Sequence, residues 1–524
     1  MRGFHIDMNT AQFKGDYLKK WLKELAKLGY DTIIWEIEAN VKWDTCPECS
    51  PADAMSKTEF KELLKLSAKL GMENIPLFQT LAHCEYVLKH DKYKNLMELQ
   101  GEISQYCPQN PEVLKFTGKW IDEYLELFGK IKYFHIGADE ARFLGKCGKC
   151  REYVEEKSVS QLYIDYVNKV SEPLIKNKII PIIWADMALS HPEALEKLSR
   201  KIMLFDWIYS VRRIDGEVQV WGETNGKHGR NDIPKHISDL YKKYLYPNGF
   251  EYGRVPETFY TADYLADKGF KVVTCPGSSS YGDNVFSPRN WYHMTNTFDS
   301  FQKGMSKHLF GSVLTSWTIH LFPWELQLSC IEIPSFLKKY PKKNIEEFQK
   351  YFVNKHFGLK DDNLWKACGL LSIESLFAYT DSLGFDKSLM KVPESYVIDK
   401  LKKISEEGRT GQELENSEIR LKEYKEALKL FEKLEKNAKK GKDLIKIWKL
   451  FARNLINRAE AAIFLLKNGT GTKKDGQKIL KELHKLKIET EEFYKNEIIP
   501  SRLKDYMHWM YGSIEYTLNR SLGE

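Results

Sequence analysis

Through the first two-thirds of the chain, short β-branched or aromatic runs alternate with amphipathic stretches of helical period. The runs predict strands at 3–7, 32–38, 74–79, 132–137, 179–185, 202–207, 270–275 and 311–317. Helical patterns lie between them at 17–28, 57–70, 112–128, 161–175, 257–267 and 291–305. Eight strands, most followed by a helix, predict a (β/α)8 TIM barrel over residues 1–340. A long insertion rich in Gly, Asn and Tyr interrupts it from about Tyr209 to Val255. An open doubly wound sheet is the alternative, but no G-x-G-x-x-G follows the first strand, so nucleotide binding has no support. After Tyr340 the strand signals stop and Lys/Glu-rich helical periodicity takes over, at 413–439, 442–466, 474–496 and 501–520. Residues 341–524 therefore read as an all-α C-terminal domain whose apolar stripes pack a bundle.

Composition narrows the function classes. Eighty Lys+Arg against 73 Asp+Glu leave a net charge of only +7, with both signs mixed along the chain, which argues against a nucleic-acid partner. No apolar run is long enough to predict a membrane span. The opening MRGFHIDMNT lacks the pattern of a secretory signal, so a cytoplasmic location is expected. The 13 Trp are the informative excess, because an indole face stacks on the C–H face of a sugar ring.

In a barrel, chemistry gathers at the C-terminal ends of the strands. Here those ends carry Asp7, Glu36, Glu38, His83, Asp139, Glu140, Trp184, Asp186, Asp206, Trp207, Tyr281, Asp283 and Trp317. Carboxylates with tryptophans favour carbohydrate chemistry over phosphate chemistry. The adjacent pair Asp139-Glu140 is the sharpest signal. Successive side chains of an extended chain point in different directions, so the two carboxyls can take different roles on one substrate. Read alone, the pair is better explained by a helix cap, because such dipeptides are common.

The wider run His135-Ile-Gly-Ala-Asp139-Glu140 resembles the His-x-Gly-(Gly/Ala)-Asp-Glu signature of glycoside hydrolase family 20, the β-N-acetylhexosaminidases. The third-strand run from Pro76 through His83 to His90 resembles the branch without an N-terminal accessory domain and with a helical C-terminal domain. Arg2-Gly-Phe-His-Ile-Asp7 is similar to the first-strand Arg-Gly-x-x-x-Asp pattern. The resemblance implies an exo-acting, retaining β-N-acetylhexosaminidase that removes terminal GlcNAc, or GalNAc, through an oxazolinium ion formed by the substrate's own acetamido group. It implies Glu140 as acid and base, Asp139 as acceptor of the acetamido N–H, and Tyr281 as donor to its carbonyl oxygen. Arg2 and Asp283 would bind sugar hydroxyls, and His83 would act near Glu140. Trp317 would stack under the ring, with Trp184 and Trp207 around the acetamide methyl; His5 and His135 would be structural. Trp317-Thr-Ile-His320 departs from the family's Trp-x-Glu, leaving Glu325 as the replacement, and Trp35-Glu-Ile-Glu38-Ala-Asn departs from the family's acidic second-strand sequence, leaving Glu36 or Glu38 as weak candidates. The partner implied is a glycan ending in N-acetylhexosamine, with no cofactor required for catalysis. A conventional two-carboxylate glycosidase and a non-catalytic sugar-binding barrel are the competing readings, and the helical domain makes a homodimer plausible.

Nine cysteines, an odd number, include Cys46-Pro-Glu-Cys49 after the second strand and Cys147-Gly-Lys-Cys150 after the fourth. Two C-x-x-C pairs on one barrel face suit a structural Zn with four thiolates, Cys46, Cys49, Cys147 and Cys150. Unconnected thiols and a disulfide are the alternatives.

Overall fold

The computed structural model describes residues 1–209, 217–220, 226–229, 239–249, 256–318, 323–373, 375–377, 393–467 and 472–523. Eight strands form a closed parallel barrel: β1 (Arg2–Asp7), β2 (Thr32–Glu36), β3 (Glu73–Leu77), β4 (Tyr133–His135), β5 (Ile180–Trp184), β6 (Met203–Asp206), β7 (Lys271–Thr274) and β8 (Gly311–Ser316). Their order around the barrel follows the chain. β8 closes on β1 with Arg2 beside Ser312 and Ile6 beside Ser316. The short strand Gly277–Ser279 pairs with the outgoing end of β8. Each predicted strand is present; β1 ends at Asp7 as expected, and the others end one or two residues early, where pairing gives way to the loops. The insertion after Tyr209 includes an antiparallel ribbon, Glu217–Val220 with Gly226–Gly229, but most of it lies outside the described residues.

Alternation along the strands separates two cores. On β1, Phe4 and Ile6 point outward into the layer between strands and helices, while Gly3 and His5 face the lumen. A Cβ at Gly3 would come within 2.7 Å of Val313 Cγ2. The lumen is filled by Ile34, Ile75, Ile182, Trp184, Phe205 and Val313 among others, so the barrel is a solid support with no pore. The outer helices begin on local signals. Ser56 and Glu59 form a capping box on α1 (Lys57–Lys69). Asn110 caps α2 (Pro111–Phe128), with proline in the first position. Cys147 opens α3 (Gly148–Glu156), and Ser158 caps α4 (Val159–Lys176).

Beyond Tyr340 the described residues form helices and no strand, among them Thr410–Asn437, Lys442–Leu466 and Lys473–Tyr494. The stretch expected as one helix over 501–520 is instead Pro500–Met507, a π turn at His508–Gly512, and Ser513–Leu522. The wider turn lets the consecutive Trp509, Met510 and Tyr511 all be buried. Arg458, 1% exposed, donates to the Met510 carbonyl and lies over the rings of Phe286 and Tyr511. Lys14 N–H donates to Glu497 O (2.7 Å), Ile499 N–H to Gln12 O (2.9 Å), and Tyr506 Oη to Thr318 O (3.3 Å). The helices thus brace the segments that leave β1, β7 and β8. No helix among the described residues is long and apolar enough to cross a membrane.

Candidate active site

The exit of β4 is a tight turn in which Gly137, Ala138 and Glu140 all adopt positive φ (67°, 69° and 44°). Only glycine fits the first position, because a Cβ there would overlap the Gln79 side chain at 1.9 Å. Left-handed geometry at Ala138 and Glu140 costs about 1–3 kcal/mol each, and the surroundings hold it in place. Gly137 N–H donates to His135 Nδ1 (3.0 Å), and Gly137 O accepts from Trp184 N–H (3.1 Å). Ala138 O accepts from the Tyr163 hydroxyl (3.0 Å), and Glu140 N–H donates to Asp186 Oδ2 (2.9 Å). His83, at the exit of β3, is itself left-handed (φ 55°). The turn orients Asp139 and Glu140 toward that histidine.

His83 Nε2 lies 3.2 Å from Asp139 Oδ2 and 3.6 Å from Glu140 Oε2. Burial would lower the proton affinity of this imidazole, but the Asp139 carboxylate outweighs it and, with Glu85 and Glu140, holds it up to about 10. Arg142 supplies a second cation, its guanidinium 2.8 Å from Glu140 Oε1. Asp139 is buried, and among the described residues its Oδ1 has no hydrogen-bond partner. Glu140 is half-buried at the rim. Behind them Asp186 is pushed up to about 8, first by burial and then by Asp139. It is a neutral or nearly neutral acid near neutrality.

Aromatic rings surround this cluster. Trp184 is fully buried at the top of the lumen, 4.5 Å from the His135 ring and 5.5 Å from Trp317. Trp207 bonds to Asp186 and lies 5.5 Å from Tyr209. Trp317, partly exposed, donates its Nε1–H to the Tyr209 hydroxyl. Burial is the main cause that raises the Tyr209 phenol, and Cys275 and then Asp139 add to it. Tyr209 carries no sequence signal, because it follows β6 by three residues in no recognisable motif.

Other predicted residues are placed elsewhere. Arg2 begins β1, at the rim opposite the strand exits, and shares the outward face of Phe4 and Ile6; it does not reach the Asp139–Glu140 cluster. Asp283 is 0% exposed and saturated internally. Its carboxylate accepts from Arg289 Nε (2.8 Å), Ser280 N–H (3.0 Å) and His293 Nε2 (2.9 Å), so it holds the loop after β7 and has no access to a sugar hydroxyl. Glu325 is engaged by Lys20 (2.7 Å) and Tyr17 (3.2 Å) of the helix Gly15–Lys27, outside the pocket. Tyr281 is on the expected rim, with 62% of its surface exposed. Of the acidic group at β1 and β2, Glu36 is held by His5 (2.8 Å) and Gln79 (2.9 Å), Asp7 by Thr318 (2.8 Å), and Glu38 by Asn9 (2.9 Å). His320 lies outside the described residues.

The four-thiolate grouping is also corrected. Cys46 and Cys49 are joined to each other in a disulfide. Cys147 and Cys150 instead meet Cys107 and Glu98, from the loop after β3, the strand next to β4.

A closed barrel places its chemistry at the strand exits, and here paired carboxylates lie there among tryptophans, an arrangement suited to acid–base chemistry on a sugar. Residues 2–231 match the family model described as glycosyl hydrolase family 20, catalytic domain. Over 198 residues the chain is 31% identical to Hexosaminidase D of Homo sapiens and 30% identical to Hexosaminidase D of Bos taurus. Those matches cover 37% of this chain and only 41% and 57% of the two relatives. Among solved structures, a β-N-acetylhexosaminidase from Bacteroides fragilis NCTC 9343 aligns at 16% identity over 73% of each chain, with a TM-score of 0.46. A chitobiase from Flavobacterium johnsoniae aligns at 14% identity over 99% of this chain and 78% of its own, also with a TM-score of 0.46.

The raised Asp186 has a thermodynamic consequence. The folded chain keeps a proton up to about 8 that the unfolded chain releases near its ordinary value of about 4. The folded state therefore binds more protons in this window, and stability falls as pH rises through it. His83 adds in the same direction, its contribution being full below about 6.5 and lost as pH rises through about 10. Thermal unfolding of wild type between about pH 5 and 8 should show Tm falling with pH, and Asp186→Asn should flatten that slope. An unchanged slope in the variant would contradict the assignment.

Proposed function

We propose that the chain is an exo-acting, retaining β-N-acetylhexosaminidase that hydrolyses terminal β-linked N-acetylhexosamine with assistance from the substrate's own 2-acetamido group. The observation that carries this reading is the pair at the β4 exit: a rim-exposed Glu140 beside a buried Asp139 whose Oδ1 has no partner among the described residues. A buried carboxylate oxygen without a donor is costly, and a substrate N–H delivered to it recovers that cost on binding. Asp139 would accept the acetamido N–H through Oδ1 while Oδ2 stays paired with His83. The acetamido oxygen attacks C1, the glycosidic C1–O bond breaks, and Glu140 gives its proton to the leaving oxygen. A water then attacks C1 of the oxazolinium ion, Glu140 takes its proton, and the ring reopens to the acetamide with net retention. Positive charge develops on the acetamido group, so the fixed Asp139 carboxylate is worth more in the transition state than in the ground state.

Tyr209 is our assignment for the donor to the acetamido oxygen. Its half-buried hydroxyl accepts from Trp317 at the strand-exit rim and feels the Asp139 charge, whereas the ring of Tyr281 is mostly in solvent. Trp317 would stack on the sugar ring, and Trp207 would bound the acetamide methyl. Trp184, fully buried, would form the floor beneath them. This chemistry belongs to the barrel up to about Tyr340, and the helical remainder would act as a brace.

Two mutant series test the reading. Glu140→Gln should slow hydrolysis of aryl β-N-acetylglucosaminides with poor leaving groups by roughly 10²–10⁴-fold, and less for activated ones. Asp139→Asn should slow both kinds, and wild-type-like rates in either variant would refute these roles. Tyr209→Phe should lower kcat by about 10²–10³-fold while Tyr281→Phe has a small effect. The reverse ranking would return the donor role to Tyr281.

A further inference from the structure

We propose that Cys107, Cys147, Cys150 and Glu98 form a structural zinc site that clasps the loop after β3 to the loop after β4. Their ligand atoms all lie within 4.8 Å of one another. Cys107 Sγ is 3.5 Å from Cys147 Sγ and 3.6 Å from Cys150 Sγ, and Cys150 Sγ is 3.3 Å from Glu98 Oε2. Zinc–sulfur bonds of about 2.3 Å at tetrahedral angles place sulfurs about 3.8 Å apart, and a zinc–carboxylate bond places that oxygen about 3.6 Å from each sulfur. These three separations need only a few tenths of an ångström of adjustment, and the remaining pairs, all within 4.8 Å, need at most about 1 Å. A disulfide needs about 2.05 Å, so these thiols are spaced for a shared ion.

The surroundings are built to hold such a group. Glu98 is 2% exposed, and its Oε1 accepts from the N–H groups of Lys146 (2.7 Å) and Cys147 (3.0 Å), which leaves Oε2 turned to the sulfurs. Cys150 N–H donates to Cys147 Sγ (3.4 Å), the knuckle bond expected of a C-x-x-C turn around zinc. Glu98 and Cys107 are held by a small antiparallel ladder, with Glu98 N–H to Gln105 O (3.0 Å) and Cys107 N–H to Leu96 O (2.9 Å). The N-terminus of α3 and the three amide donors offset negative charge left over after the ion is bound. All four positions of the ion are filled by protein, so the site is closed to water and structural in kind. The loop it fixes begins at Glu140 and carries Arg142. A bond from Phe143 N–H to Gln105 Oε1 (2.8 Å) ties the same two loops closer to the pocket.

The test uses the full chain, purified without a metal-binding tag and without added chelator. Elemental analysis should find about one zinc per chain, and a colorimetric zinc indicator should report its release when the thiols are modified with a mercurial. Cys107→Ser and Glu98→Gln should lower zinc content several-fold, whereas Cys46→Ser should leave it unchanged. Should a variant fail to fold, the wild-type chain reconstituted with Co²⁺ alone should show thiolate-to-cobalt charge transfer and the intense visible bands of a tetrahedral site. Zinc well below stoichiometry with Cys107, Cys147 and Cys150 reacting freely would overturn the proposal. So would a disulfide among those three by mass spectrometry, loss of zinc in Cys46→Ser, or no cobalt spectrum. None of these readouts depends on glycosidase activity, so the site and the proposed reaction stand or fall separately.

Discussion

The left-handed turn at Gly137–Glu140 is the constraint on which the rest of the site depends. An extended exit from β4 would send Asp139 and Glu140 to opposite sides. The turn instead sets both against His83, and the contacts that fix it are the site's other members. His135, Trp184, Tyr163 and Asp186 each satisfy one of its backbone groups. The unfavourable geometry is maintained because every alternative would leave a buried polar group without a partner. His135 therefore acts through the backbone: its Nδ1 accepts from Gly137, and burial keeps the ring well below its ordinary proton affinity, in the neutral form that can accept.

Charge is arranged on the same principle. Asp139, Glu140 and Asp186 converge on one rim, and so many carboxyl groups are accommodated because the cluster divides its protons. His83 remains cationic between Asp139 and Glu140, Arg142 faces Glu140, and Asp186 is raised until it is largely protonated near neutrality. Trp207 and the Glu140 amide then bond to an acid that adds little further negative charge. The helical part supports this rim from behind, through Tyr506 at Thr318 and Arg458 between Phe286 and Tyr511, so it is continuous with the segments that frame Trp317.

The fold was legible because its signals are local. Runs such as Thr32-Ile-Ile-Trp-Glu36 are buried on both faces and read as strands, and the helical period of stretches such as 57–70 and 112–128 marks the helices between them. Asp139, Glu140, His83 and the three tryptophans were legible because strand exits in a barrel share one rim. The failures are those of long-range geometry. A first-strand motif does not say that Arg2 lies on the far rim and the outer face. Asp283 looks available until Arg289 and His293, six and ten residues later, fold back onto it. The cysteine pairs were matched by their spacing, whereas neighbouring strands decide which loops meet. β3 adjoins β4, so Cys147 and Cys150 find a lone cysteine, Cys107, and a glutamate that carried no signal.

The central claim is that the pocket is built around an acetamido group that takes part in the reaction. Its most direct test compares kcat/KM of the wild-type chain on a nitrophenyl β-N-acetylglucosaminide and on the matching β-glucoside, which differ only at C2. Losing an internal nucleophile and its positioning contacts should slow the glucoside by at least about 10³-fold. Hydrolysis of both sugars at similar rates would contradict the account.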